Sequence, residues 1–242
     1  MGRGKETCPF PYLKEESLKE INIDLMEGKK AIVECDDSSY PAIMQVANGE
    51  YDILVGFTIN PVVIDIGAHV GAFSIWSIKK FHPSHIHCYE PLKRNFGLLQ
   101  KNIENLPTTV PSFTLTNKSV EAPSNKIYLG SLCSASSSFY NLNEQTTEYE
   151  EVENIQAEEL PNCDILKVDT EGCEVAILTK YLYTHESKPV LIMFEFHRDR
   201  DRIELDRLLN LFGYRLVSGG LFGYELGVFK YVVDSILTTK KG

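Results

Sequence analysis

The stretch Val62 to Phe73, VVIDIGAHVGAF, decides the fold. Its apolar start reads as a buried strand, which runs into Asp65, then Gly67 and Gly71, and then into a helical pattern. Gly67 lets the chain turn sharply and bring its backbone close to a ligand, and Gly71 lets the new helix pack on the strand. Asp65, at the strand end, is placed to accept a hydrogen bond from a cationic amine or an amide. An ordinary strand-turn-helix junction with helpful glycines is the plainer reading of the same residues.

Outward from this stretch the pattern repeats. Ile86 to Tyr89 is a second short strand, and it ends in Glu90, about twenty residues beyond the glycine turn, where a carboxylate can take both hydroxyls of an adenosine ribose. Pro91 then turns the chain away. A dinucleotide enzyme would show the same acid but a GxGxxG turn, whereas Ala68 and His69 stand here inside DxGxxxG. That spacing needs no pyrophosphate cradle, so it favours S-adenosylmethionine over NAD.

Further helices are expected at Val70 to Lys80, Lys93 to Glu104, Glu174 to Tyr183 and Asp201 to Leu211, the last with an apolar stripe of Ile203, Leu205, Leu208 and Leu209. Further strands are expected at Phe113 to Thr116, Asp164 to Asp169 and Val190 to Phe196. This alternation is that of a parallel sheet with crossover helices, a doubly wound α/β fold. Tyr214 to Val217 and Gly227 to Val233 are close enough to pair antiparallel and close the sheet. Pro123 to Glu159 is polar, with SASSS at Ser134 to Ser138 and an acidic run from Glu148 to Glu153, and reads as a hairpin and a mobile loop.

Before Pro61 the character is different. Ala31 to Glu34, Ile43 to Ala47 and Tyr51 to Val55 are short apolar groups, and Asn48-Gly49 between the last two predicts a hairpin turn. Residues 1–60 therefore read as a small β-rich cap, and 61–242 as the main domain. At 242 residues and 43% hydrophobic content, one full core is expected. The net charge of −10 disfavours a nucleic-acid partner. The six cysteines are scattered singly without a CxxC pair, which points to reduced thiols, no zinc site and a cytoplasmic setting. Met1 to Lys5 lacks the apolar stretch of a signal peptide, and no run is long enough to span a bilayer.

Three blocks, VVIDIGAHVGAFS, CYEPLKRN, and DILKVDTEGCEVAIL followed by LIMFEFH, resemble the signature blocks of the FkbM family of methyltransferases, in order and spacing, over about Pro61 to Leu211. The resemblance implies the class I methyltransferase sheet, S-adenosylmethionine as cofactor, and a hydroxyl acceptor, commonly on a sugar or polyketide. It implies cofactor contacts from Asp65, Gly67 and Glu90. His69 stands where Asn is more usual in that turn. Ala68, His69, Gly71, Pro91, Leu92, Asn117, Ser119 and Asp169 complete the expected cofactor site.

The chemistry is expected beyond the carboxyl ends of the strands. Asp169 ends DILKVD, Glu171 follows it, Glu174 opens the next helix, and Glu195 and His197 lie at the adjacent strand end. A hydroxyl acceptor must lose its proton, and His197 is the first candidate base, with Asp169 and Glu171 next. A divalent ion such as magnesium, binding the acceptor oxygen, is the alternative use of these carboxylates. Glu174 has a sufficient role in the helix dipole. Lys167 lies mid-strand in a sheet covered on both faces, so it is expected to pair with Asp169, Asp65 or Glu195 and orient that acid. The reading is an S-adenosylmethionine-dependent O-methyltransferase of a sugar, glycan or other small molecule, its acceptor lying between Asp169, Glu171, His197 and the cap. An RNA or protein methyltransferase, an NAD-dependent oxidoreductase and a silent cofactor-binding module are the alternatives, and the acceptor and the oligomeric state are not encoded in any recognisable pattern.

Overall fold

A computed structural model describes residues 18–54, 60–107, 111–129, 137–139, 148–221 and 226–235. Its centre is a seven-stranded sheet of β3 (Val62–Ile66), β4 (His85–Tyr89), β5 (Ser112–Thr116), β10 (Ile165–Val168), β11 (Leu191–Phe196), β12 (Tyr214–Leu221) and β13 (Gly227–Val233). The order across the sheet is β12-β13-β11-β10-β3-β4-β5. β5, β4, β3, β10 and β11 run parallel, and β13 pairs antiparallel with both β11 and β12. The order reverses between β3 and β10, and their carboxyl ends open the crevice where such sheets bind ligands.

Alternation along the strands sorts the core into two layers. Val63, Ile86, Ile165, Leu191 and Met193 face one side, with α2 (Ala72–Phe81). Ile64, Ile66, Leu166, Val168, Ile192, Phe194 and Phe196 face the other, with α4 (Glu174–Thr184) and α5 (Asp199–Leu211). In α5 Leu205 and Leu209 are buried and Leu208 packs beside them, but Ile203, the fourth member of the expected stripe, stays exposed.

The N-terminal segment supplies a third layer. β1 (Leu18–Asp24) and β2 (Lys30–Asp36) form an antiparallel hairpin, and α1 (Tyr40–Ala47) follows. Ile21, Ile23, Val33, Ile43 and Val46 join the core that contains Phe73, Ile75, Trp76 and Ile78. Hence α2 is buried nearly all round, with the cap on one side and the sheet on the other. The expected hairpin at Asn48-Gly49 is corrected here. Ile43 and Val46 are spaced as one helix face, Pro41 stands at the first turn, and Asn48 is the C-cap of α1 with Gly49 in the left-handed region at φ 91°. Asn-Gly ends a helix as readily as it turns a hairpin.

Lys230 ties the cap to the far side of the sheet. It lies on the cap face of β13, buried, and donates to the Glu50 carbonyl at 2.7 Å and the Asp52 carbonyl at 2.9 Å.

In the polar region, β7 (Lys126–Tyr128) pairs antiparallel with β8 (Tyr149–Glu151), as the hairpin reading expected, and β6 (Ser119–Val120) pairs parallel with β9 (Asn154–Ile155). Ser134 to Ala135 and most of the segment up to Thr147 lie outside the described residues, as do Val55, Phe222, Tyr224, Cys8 and Cys133. Cys35, Cys88, Cys163 and Cys173 are buried free thiols. No helix among the described residues is long and apolar enough to cross a membrane.

Candidate active site

A cavity of about 300 Å³ lies over the carboxyl ends of β3, β4 and β10, within the size range of small-molecule sites. Its first half is a backbone cradle. Gly67 has φ 75°, and a Cβ there would fall 1.6 Å from the Asp169 carbonyl oxygen, so only glycine lets the β3 turn lie against the β10 end. The Gly67 and Ala68 amides donate to the Tyr89 carbonyl, which locks the turn to β4. His69 takes φ 52°, a left-handed conformation that Asn adopts more easily. Burial lowers the His69 pKa to about 4, so its ring is neutral, with Nε2 3.3 Å from Ser39 Oγ.

Glu90 is the centre of this half and is almost fully buried at 4% exposure. Its Oε2 accepts from the His69 amide at 2.9 Å, and its Oε1 from the Leu92 amide at 3.0 Å and Asn95 Nδ2 at 3.3 Å. Burial raises its pKa to about 7 against the opposing effect of those donors. Asn117 does not line the cavity; its Nδ2 donates to the Glu90 and Pro91 carbonyls at 2.9 Å each and clamps the turn after β4. Gly71 is likewise a packing residue: at φ 89° it caps α2, and a Cβ would come 2.7 Å from Leu99 on α3 (Lys93–Glu104). Ala68, Pro91, Leu92 and Ser119 line the cavity.

Under the floor sits a buried charge cluster that the register produces. Lys167 on β10 stands opposite Asp65 on β3, on the cap face of the sheet. Its Nζ lies 3.1 Å from Asp65 Oδ1 and 3.4 Å from Asp169 Oδ2, and donates to the Gly67 carbonyl at 2.8 Å. The expected pairing is thus present with two of the three acids. Burial opposes the Lys167 charge, but Asp65 and Asp169 outweigh it and raise its pKa. The contact with Asp65 is ionic rather than directional, since Oδ1 accepts no well-aligned hydrogen bond, while Oδ2 accepts from Ser74 Oγ at 2.7 Å. Asp65 is fully buried, does not line the cavity and holds Lys167.

The second half is formed by acids from distant parts of the chain: Asp169 and Glu171 after β10, Glu195 on β11 and Glu50 from the cap, with Gln45, Val46 and Tyr51 beside it. Burial, reinforced by Asp169, raises Glu195 to about 9 and Glu50 to about 7. His197 stands behind this wall rather than in it, its Nε2 3.0 Å from Glu171 Oε2 and 3.9 Å from Glu195 Oε1. Burial would lower its pKa, but the hydrogen bond and charge of Glu171, with Glu174 and Asp169, raise it to about 10. A histidine held as a cation at neutral pH cannot accept a proton, which argues against His197 as the base. Glu174 is buried and accepts from Thr170 and Gly172 amides at the start of α4, the structural use expected of it.

Asp169, Glu195 and His197 bring ligand atoms within 4.8 Å of one another, which is the one such grouping among the described residues. With one imidazole nitrogen already engaged by Glu171, it fits magnesium poorly, because that ion takes oxygen ligands. Glu50, Tyr51 and Asn95 were missed in the sequence. Asn95 carried a signal, lying within the CYEPLKRN block, whereas Glu50 carried none.

A family model for the methyltransferase FkbM domain matches residues 65–216. Nothing among curated proteins matches the chain. Among solved structures, the chain is similar to a tRNA m1G37 methyltransferase from M. jannaschii, at 12% identity and a TM-score of 0.50 over 91% of this chain and 58% of that one. It is also similar to a precorrin-6y C5,15-methyltransferase from Geobacter metallireducens GS-15 (12%, TM-score 0.47, 79% and 87%) and to a magnesium protoporphyrin IX methyltransferase from Synechocystis PCC 6803 with bound SAM (12%, TM-score 0.45, 81% and 78%). At these identities the likeness concerns the fold, which is the class I methyltransferase sheet expected from the sequence.

Proposed function

The chain belongs to the methyltransferase FkbM family, and from that premise we propose that it is an S-adenosylmethionine-dependent methyltransferase acting on a hydroxyl group of a sugar, glycan or other small molecule. The observation that carries the reading is the division of one cavity into a backbone cradle around Glu90 and a wall of acids from Asp169 to Glu195. The residues fit the cofactor. Glu90 offers a buried carboxylate for a ribose hydroxyl, and Gly67, Ala68 and His69 bring backbone to the wall. When bound, S-adenosylmethionine supplies a methyl group on a sulfonium, an excellent leaving group.

The chain's own part is then to position and to deprotonate. Holding an acceptor in line can supply roughly 7–11 kcal/mol of the barrier. Asp169 is the base in this reading, since it lines the cavity at the end of β10 and the proton of the acceptor hydroxyl passes to its carboxylate. Lys167 holds Asp169 in place, and His197 holds Glu171. Protonated Glu195 donates to a second acceptor oxygen, which suits a polyol. The domain division at residue 60 belongs to this reading: residues before it close the acceptor side, and those after it carry the cofactor side. No step runs through magnesium.

Calorimetry with S-adenosylhomocysteine, beside NAD and beside Glu90→Ala, tests the cofactor. Micromolar binding is expected, weakened at least tenfold by Glu90→Ala, with none for NAD. Binding of NAD in its place refutes the reading. Transfer of a labelled methyl group to a panel of sugars and polyols, with RNA as comparison, tests the acceptor; label appearing only on RNA would overturn the hydroxyl assignment.

A further inference from the structure

We infer that Asn95 is a cofactor-binding residue, its Oδ1 taking one of the two ribose hydroxyls while Glu90 takes the other. The inference rests on the reading that the cavity holds S-adenosylmethionine, and it changes how the ribose is held. An ionised carboxylate has about four acceptor positions. Three of those on Glu90 are filled from within the chain, by the His69 amide, the Leu92 amide and Asn95 Nδ2. One is left. A vicinal diol brings two donors, so Glu90 alone cannot serve both.

Asn95 supplies what is lacking. It is 2% exposed, lines the same cavity, and its Oδ1 is a buried oxygen without a hydrogen-bond partner. Buried polar atoms are rarely left so, because the unmade bond costs stability. The amide cannot relieve the problem by turning over. That would bring its oxygen toward Glu90 Oε1 and replace a donor with a second acceptor. With Nδ2 committed to Glu90, Oδ1 requires a donor from outside the chain. The passage from β4 into α3 thus presents two acceptors, one on Glu90 and one on Asn95, braced against each other by the Nδ2 bond. An enzyme that relied on Glu90 alone would place a side chain there whose polar atoms were all satisfied.

The test is calorimetric titration of the whole chain with S-adenosylhomocysteine and with its 2′-deoxy and 3′-deoxy analogues, on wild type, Asn95→Ala and Asn95→Ser. Asn95→Ala is expected to weaken S-adenosylhomocysteine about tenfold or more. Each deoxy analogue should bind wild type about tenfold more weakly. One of the two should lose nothing further on Asn95→Ala, because the substitution has already removed that hydroxyl's partner. The inference is overturned if Asn95→Ala binds S-adenosylhomocysteine as wild type does, or if both analogues lose as much on the variant as on wild type. Should neither alanine nor serine fold, the analogues on wild type decide: two separate losses support two separate acceptors, and equal binding of all three ligands refutes them. Failure of wild type to bind S-adenosylhomocysteine while it binds NAD would instead refute the cofactor reading itself.

Discussion

The two halves of the cavity are built by different means. The half around Gly67, His69 and Glu90 is made of backbone: amides of His69 and Leu92 bind one carboxylate, amides of Gly67 and Ala68 bind one carbonyl, and Asn117 clamps the turn. The half around Asp169, Glu171, Glu195 and Glu50 is made of side chains from the cap, the segment after β10, and β11, with Lys167 and His197 supplying the countercharge. A backbone cradle is fixed once the sheet forms. A charge-balanced wall stays sensitive to pH and to single substitutions, and it is where members of one fold can differ in acceptor.

The Lys167 side chain bridges the two halves, through Gly67 and Asp65 on one side and Asp169 on the other. Lys167→Met should therefore break the comparison most severely. Leaving buried Asp65 and half-buried Asp169 without their cation is expected to cost about 3–5 kcal/mol, read by urea denaturation, and to weaken S-adenosylhomocysteine binding as well. A variant of wild-type stability would show that the acids are compensated from elsewhere.

Titration should separate the halves. Glu90 changes state near pH 7, whereas Glu195 and His197 change near 9 and 10. Both of the latter are raised above their unfolded values, about 4.5 for the acid and 6.5 for the histidine. Each therefore favours the folded chain at low pH and loses that contribution as pH rises through the folded value. Between pH 8 and 10 the melting temperature should fall, by on the order of 5 °C more in wild type than in Glu195→Gln, while S-adenosylhomocysteine affinity holds. A wild-type melting temperature that rises over this range would contradict the sign.

Glu50→Gln should do least. It keeps the size of the side chain and lies on the acceptor side, so S-adenosylhomocysteine binding is expected to change less than about twofold by calorimetry. A larger change would show that the halves communicate through Lys167.

The same division explains what could be read from the sequence. The cradle is local: a strand, two glycines and an acid at the end of the next strand all lie between Val62 and Glu90, and their spacing carries the geometry. The burial of Lys167 implied a partner, but the direct opposition to Asp65 depended on strand register, which no local pattern encodes. Asp65, Gly71 and Asn117 have the residue types of a binding site, and what the spacing did not reveal is their local contacts with Ser74, Leu99 and the Glu90 carbonyl. The cap was the least legible part, because Asn48-Gly49 fits a helix end and a hairpin equally, and a helix there brings Glu50 to the cavity.

The Lys230 tether has a consequence for the order in which the molecule is completed. The carbonyls it binds lie 178 and 180 residues earlier in the chain. On a ribosome, the loop carrying Glu50 emerges early and can pack Tyr51 on Phe73 and pair Asp52 with Lys80, but its carbonyls gain Lys230 only once β13 has been made and has slotted between β11 and β12. Closing so long a loop is entropically slow, so this tether on the Glu50 side of the cavity is among the last contacts to set. A nascent chain would hold the turn between Gly67 and Glu90 well before the Glu50 loop was tied across to β13.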